Sequence, residues 1–125
     1  MSGLVIDASV ALQWYLPEAY SEVSRKLLDT PARLMVPGLF YAEFGNALWK
    51  RWRREELDRQ EIDLTIQALG RVPFEVFPTR DLSAHAVEIA LDHGCTVHDG
   101  VYLALAVLEG ARMITADRKL CNAIA

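Results

Sequence analysis

The sequence predicts an α/β protein: a three-layer α/β/α sandwich built on a short parallel sheet of four or five strands. Two observations lead there. Short apolar runs at Leu4-Val5-Ile6, Leu34-Met35-Val36 and Met113-Ile114 lack the alternation of a half-solvated strand and read as strands buried on both faces. Between them lie stretches of helical periodicity, and parallel strands need such crossovers, which are right-handed. The chain has 125 residues, which bounds it to a single domain, 1–125, with a core that needs no disulfide support.

The elements follow in order. The first strand ends abruptly on Asp7, and Ser9 to Leu16 has helical spacing until Pro17 breaks it. Because proline is tolerated in a first turn, a helix can restart at Pro17-Glu18 and run to about Asp29. Leu34 to Val36 is the second strand, stopped by Pro37-Gly38, and a helix from Leu39 to Arg54 follows. On it Phe40, Phe44, Ala47 and Leu48 form a core stripe, while Glu43, Asn46 and Lys50 share another face. Asp58 and Glu61 have the spacing of a capping box opening a helix that Gly70 ends. Val72 to Phe77 reads as the third strand, with Pro73 a poor fit to its start. Helices are predicted over Asp81–Asp92 and Val97–Glu109, the latter with Val101, Ala104, Leu105 and Leu108 along one side. Arg112 to Thr115 is the last strand, and Asp117 opens a short terminal helix.

Composition excludes several classes. No apolar run approaches the roughly 18 residues of a membrane-spanning helix, and Met1-Ser2-Gly3 enters the first strand without the basic and apolar regions of a secretory signal. A cytoplasmic protein is expected. Cys95 and Cys121 share no ligand spacing and read as reduced thiols. A net charge of −4 opposes a protein that simply coats nucleic acid.

Asp7, Glu43, Asp99 and Asp117 are the residues that point to chemistry. Asp7 and Asp117 directly follow strands, and Glu43 lies early in the helix after the second strand, so these three gather at the carboxyl edge of the sheet, where α/β proteins bind ligands. Pattern alone does not place Asp99. Taken singly, each aspartate stands where a helix N-cap would use one, and Glu43 could be solvated or ion-paired. Taken as a cluster, unit charges about 5 Å apart repel by about 3 kcal/mol at an effective dielectric of 20. Such a cluster must take up protons or cations. Oxygen-only ligands select Mg²⁺ or Mn²⁺ over zinc, and magnesium borrows further ligands from substrate phosphates.

Asp7-Ala8-Ser9, Glu43-Phe44-Gly45-Asn46, His98-Asp99-Gly100-Val101-Tyr102-Leu103-Ala104-Leu105-Ala106 and Thr115-Ala116-Asp117-Arg118-Lys119-Leu120, in that order and spacing, resemble the PIN domain, and within it the VapC toxins of prokaryotic toxin–antitoxin pairs. The resemblance implies a sheet of order 3-2-1-4, with a fifth strand following in the family beyond the position of Ala125. It implies a Mg²⁺- or Mn²⁺-dependent endoribonuclease with Asp7, Glu43, Asp99 and Asp117 as its catalytic, metal-holding set. One or two ions activate water for in-line attack and leave 5′-phosphate and 3′-hydroxyl ends. Ser9, Asn46 and Thr115 match the polar positions that orient the acids and waters. A VapB-like antitoxin and a homodimer are the implied protein partners. Gly100 departs from the usual alanine, a change expected to loosen the turn beside Asp99.

Lys50, Arg51, Arg53 and Arg54 form the concentrated basic run and are candidate RNA contacts, against the alternative of a solvated helix end. Trp14, Tyr15, Trp49 and Trp52 are candidates for a partner surface. His98 is assigned to local packing rather than general base catalysis. Three competing functions fit less well, among them a receiver-like signalling domain, which would want paired acids after the first strand and an acceptor where Pro78-Thr79 stands. A Mg-dependent phosphatase with an aspartate nucleophile needs a second acid where Ser9 stands. A PIN-like binding module of weak or lost activity would have no need of all four acids.

Overall fold

The computed structural model describes residues 3–16 and 21–116. Its sheet is parallel, with β1 (Leu4–Ile6), β2 (Leu34–Pro37), β3 (Glu75–Phe77) and β4 (Arg112–Ile114) in the order β3-β2-β1-β4. Leu4 pairs with Leu34 on one side and Arg112 on the other, and Ile6 pairs with Ile114. The helices are α1 (Ala8–Tyr15), α2 (Ser21–Arg25) continued by a 3-10 turn (Lys26–Asp29), α3 (Leu39–Arg53), α4 (Arg59–Leu69), α5 (Thr79–His93) and α6 (Val97–Glu109).

The chain steps outward from β1 to β2 to β3, then returns across the sheet to place β4 on the far side of β1. Right-handed crossovers in opposite directions put α1 to α4 over one face and α5 and α6 over the other. The reversal creates a switch point between β1 and β4, the place where open α/β sheets bind ligands. Val5, Ile6, Met35 and Val36 are fully buried between the layers, with Phe40, Phe44 and Leu48 of α3 below them and Val101, Ala104 and Leu105 of α6 above.

Several boundaries differ from the sequence expectation. The third strand begins at Glu75 instead of Val72, because Pro73 has no amide hydrogen for the ladder and Phe74 N–H turns back to the Val72 carbonyl. The helix expected to end at Asp29 becomes five α-helical residues and a 3-10 turn. Its expected start at Pro17, like the helix after Asp117 and Cys121, lies outside the described residues. Helix α5 starts at Thr79, two positions early. Leu108 is 58% exposed, so the buried side of α6 runs through Tyr102 and Ala106 instead.

Trp14 is a correction of another kind. It is 3% exposed, its Nε1–H donates to the Ser24 carbonyl at 2.8 Å, and it stacks on Phe74. It is a core residue that ties α1 to α2 and takes no part in a partner surface. The Asp58–Glu61 capping box is present with both reciprocal bonds, and Gly94 and Gly110 close α5 and α6 in the left-handed conformation that disfavours any side chain. Among the described residues no helix is long and apolar enough to cross a membrane.

Candidate active site

Asp7 leaves β1 as the N-cap of α1, yet its carboxylate makes no capping bond. Oδ2 instead accepts the Ser9 hydroxyl at 2.9 Å and the Thr115 hydroxyl at 2.6 Å. Backbone explains the meeting: Asp7 N–H continues the β1–β4 ladder to the Ile114 carbonyl at 3.1 Å, which sets residue 7 beside residue 115 at the switch point. Ser9 Oγ in turn accepts the Ala116 amide at 3.1 Å.

Glu43 is the fifth residue of α3 and half-buried. Its Oε1 accepts the Tyr102 hydroxyl at 2.6 Å. Burial pushes the Glu43 carboxyl above the ordinary range; the Tyr102 hydrogen bond and His98 draw it down, and the charges of Asp7 and Asp99 push it up. Asp7, His98 and Asp99 are thus near enough to Glu43 to act on its charge. Asp99 does not cap α6, since Thr96 does so by accepting the Asp99 amide at 3.1 Å. Thr96 thereby fixes the first turn of α6 and leaves the Asp99 carboxylate to the cleft. That cleft, about 540 Å³, is lined by Glu43, Asn46, Thr96, His98 and Asp99.

Glu43, Asn46 and Asp99 thus line one cleft, and Asp7, held by Ser9 and Thr115, lies within electrostatic reach of Glu43. Asp117 lies outside the described residues. Among those described, no three His, Cys, Asp or Glu side chains close round a point as a metal cage would. The donor chemistry nevertheless fits a hard divalent ion. All the donors are carboxylate oxygens, they repel one another, and magnesium keeps several waters and needs no closed protein shell.

Two residues depart from the sequence expectation. His98 is exposed on the cleft rim, because it is the second residue of α6 and precedes the helix's contact with the core, so it does not serve local packing. The sequence places Tyr102 within a motif and gives it no role of its own. The available signal was a phenol in an otherwise aliphatic stretch, three residues after Asp99, since a buried tyrosine hydroxyl needs a partner.

The basic run occupies the last turn of α3. Arg53 lies over the Trp49 ring at 5.1 Å, Arg59 over Trp52 at 5.8 Å, and Arg54 is 3.9 Å from Glu56. A concavity of about 660 Å³ beside it is lined by Trp52, Arg53, Glu55, Glu56, Asp58 and Glu61, so acids are interleaved with the cations.

A parallel sheet of order 3-2-1-4 with acids converging on its switch point defines a class, and the family model of the PIN domain matches residues 4–124. The chain belongs to the PIN domain family. It is 34% identical over 121 residues to Ribonuclease VapC3 of Pyrobaculum aerophilum, covering 95% of this chain and 92% of that one. Two solved structures share the fold. VapC20 of Mycobacterium tuberculosis, described as a sarcin-ricin loop cleaving toxin, has a TM-score of 0.77 and 16% identity over 97% of this chain and 95% of its own. PAE2754 from Pyrobaculum aerophilum has a TM-score of 0.71 and 24% identity over 98% of this chain and 79% of its own. A toxin–antitoxin complex from Klebsiella pneumoniae also matches, with a TM-score of 0.68 and 15% identity over 94% and 88%.

Proposed function

We propose that this chain is a divalent-metal-dependent endoribonuclease toxin of the VapC kind, restrained by a partner antitoxin. The observation that carries the reading is a cleft lined by Glu43 and Asp99, within electrostatic reach of Asp7 at the carboxyl end of β1, in a chain 34% identical to a ribonuclease. Asp7, Glu43 and Asp99, with Asp117, would hold Mg²⁺ or Mn²⁺. When bound, the ion supplies Lewis acidity for the activation of water and for charge on the leaving oxygen.

The protein's own contribution is placement. Ser9 and Thr115 fix one edge of the Asp7 carboxylate, Asn46 offers an amide to the substrate or its waters, and the 540 Å³ cleft accepts part of an RNA strand. Lys50, Arg51, Arg53 and Arg54 extend from the cleft along α3 and would meet phosphates, with Trp49 and Arg53 as a stacking pair. A protein of net charge −4 must draw RNA by such a local patch and by its ions, not by overall charge. The printed descriptions of the relatives, a ribonuclease, a toxin and a toxin–antitoxin complex, support the RNA substrate and the antitoxin. Self-association into a homodimer belongs to the same reading.

Asp7→Asn tests it. The variant should fold as the parent does, lose cleavage of cellular RNA in Mg²⁺ or Mn²⁺, and relieve growth arrest on expression. Cleavage at the parent's rate in matched metal would show that the site is elsewhere.

A further inference from the structure

Tyr102 lies on α6 three residues after Asp99, and it is 1% exposed. Its hydroxyl donates to Glu43 Oε1 at 2.6 Å. One hydrogen bond therefore joins the helix of Glu43 to the helix of Asp99. We propose that Tyr102 is a positioning residue, holding one carboxylate oxygen of Glu43 so that the other is presented to the divalent ion.

This rests on the metal-dependent reading above. Glu43 has several side-chain torsions and a half-buried setting, so without a fixed partner its carboxylate would move among rotamers. A tyrosine hydroxyl has a single hydrogen to give. In Tyr102 that hydrogen is directed at Glu43 Oε1. Asp7 is held on the same plan, with two hydroxyls donating to the one oxygen Oδ2. In both acids a hydroxyl from another element fixes one oxygen, and the geometry of the pair follows from the core.

Tyr102→Phe removes the hydroxyl and keeps the ring that fills the core. Mn²⁺ binding to the parent, Y102F, E43Q and the double variant is followed by electron paramagnetic resonance, alongside RNA cleavage. The expectation is Mn²⁺ affinity weakened about 10–100-fold in Y102F. The kcat should fall with KM for RNA unchanged and recover at high Mn²⁺. In the E43Q background the phenylalanine should add no further loss, because the hydroxyl acts through Glu43. Parent-like Mn²⁺ affinity in Y102F with weakened affinity in E43Q overturns the inference and leaves the metal reading standing, and so do additive losses in the double variant. A parent that takes up no Mn²⁺ overturns both. Should Y102F fail to fold, the tyrosine near-ultraviolet difference spectrum on Mn²⁺ addition decides. A shift in the parent that is absent in E43Q supports the inference, and no shift in the parent overturns it.

Discussion

The Thr115 hydroxyl donates to Asp7 Oδ2 across 2.6 Å, although 108 positions separate the two residues. Neither side chain chooses this contact. Parallel pairing of Ile6 with Ile114 delivers both residues to the same edge of the sheet, and Ser9, two residues along, adds a second donor from the first turn of α1. The acid is therefore held by the strand register, and anything that fixes the register fixes the acid.

Thr115→Val keeps the shape of the side chain and removes the donor. Loss of one hydrogen bond to a charged group should lower stability by about 1.5–3 kcal/mol, and misplacement of Asp7 should lower RNA cleavage about 10–100-fold. Ser9→Ala should act in the same direction. Thermal melting and cleavage assays on purified variants measure the two effects. Parent-like cleavage in both variants would mean that the hydroxyls do not set the position of Asp7.

Glu43 makes the metal-free protein pH-sensitive. Its carboxyl is pushed up in the folded state, first by burial. A group raised on folding contributes stability that is fully present below its unfolded pKa and lost as pH rises through the folded one. The metal-free protein should therefore lose stability between the ordinary glutamate range and the raised Glu43 value, and divalent ions should restore it. Glu43→Gln keeps an acceptor for Tyr102 and removes a charge that faces Asp7 and Asp99. It should flatten that pH dependence and raise the melting temperature of the metal-free protein by roughly 2–6 °C, while abolishing cleavage, the usual opposition of activity and stability at a charged site. A melting temperature below the parent's at neutral pH would contradict it.

How far the sequence could be read follows from what each residue depends on. Asp7 and Glu43 were legible because each follows its own strand, so local pattern places it at the sheet edge. Asp99 was not, because the segment from Gly94 to Thr96 that delivers it is irregular, and only the packing of α6 on the sheet brings it round. Pro73 marked the strand it shortens. Tyr102 and His98 depend on which way α6 is turned, and periodicity put Leu108 on its buried side when that position faces solvent. Helical spacing defines a stripe but not the packing angle that decides where the stripe ends.

Gly100 shows the same dependence. The sequence suggested a looser turn where an alanine is usual. In the fold the position faces the α5 backbone, and a Cβ added there would collide with the Ala86 carbonyl oxygen. The glycine permits close approach of α5 and α6 beside Asp99. Gly100→Ala should improve helix propensity by up to about 1 kcal/mol, yet destabilise overall by about 1–3 kcal/mol through overpacking. Denaturant unfolding should show a lower midpoint with an unchanged slope. A midpoint above the parent's would mean that the helices separate at little cost.

On the proposed reading, the basic run would lengthen the RNA contact beyond the cleft. Ten residues of helix separate Glu43 from Arg53, roughly 15 Å along the axis of α3, a span that takes in more than one nucleotide. Acids stand nearby, since Arg54 is 3.9 Å from Glu56 and exposed pairs of that kind contribute little stability. Replacing Lys50, Arg53 or Arg54 with alanine should raise KM with little change in kcat, the sign of lost uniform binding. It should also reduce the salt dependence of RNA affinity, by about 0.7 in the slope of log K against log salt for each single-strand phosphate contact removed. Trp49→Ala should weaken binding with no change of slope, because stacking releases no counterions. A triple alanine variant at Lys50, Arg53 and Arg54 with the parent's salt slope would move the RNA path off this helix.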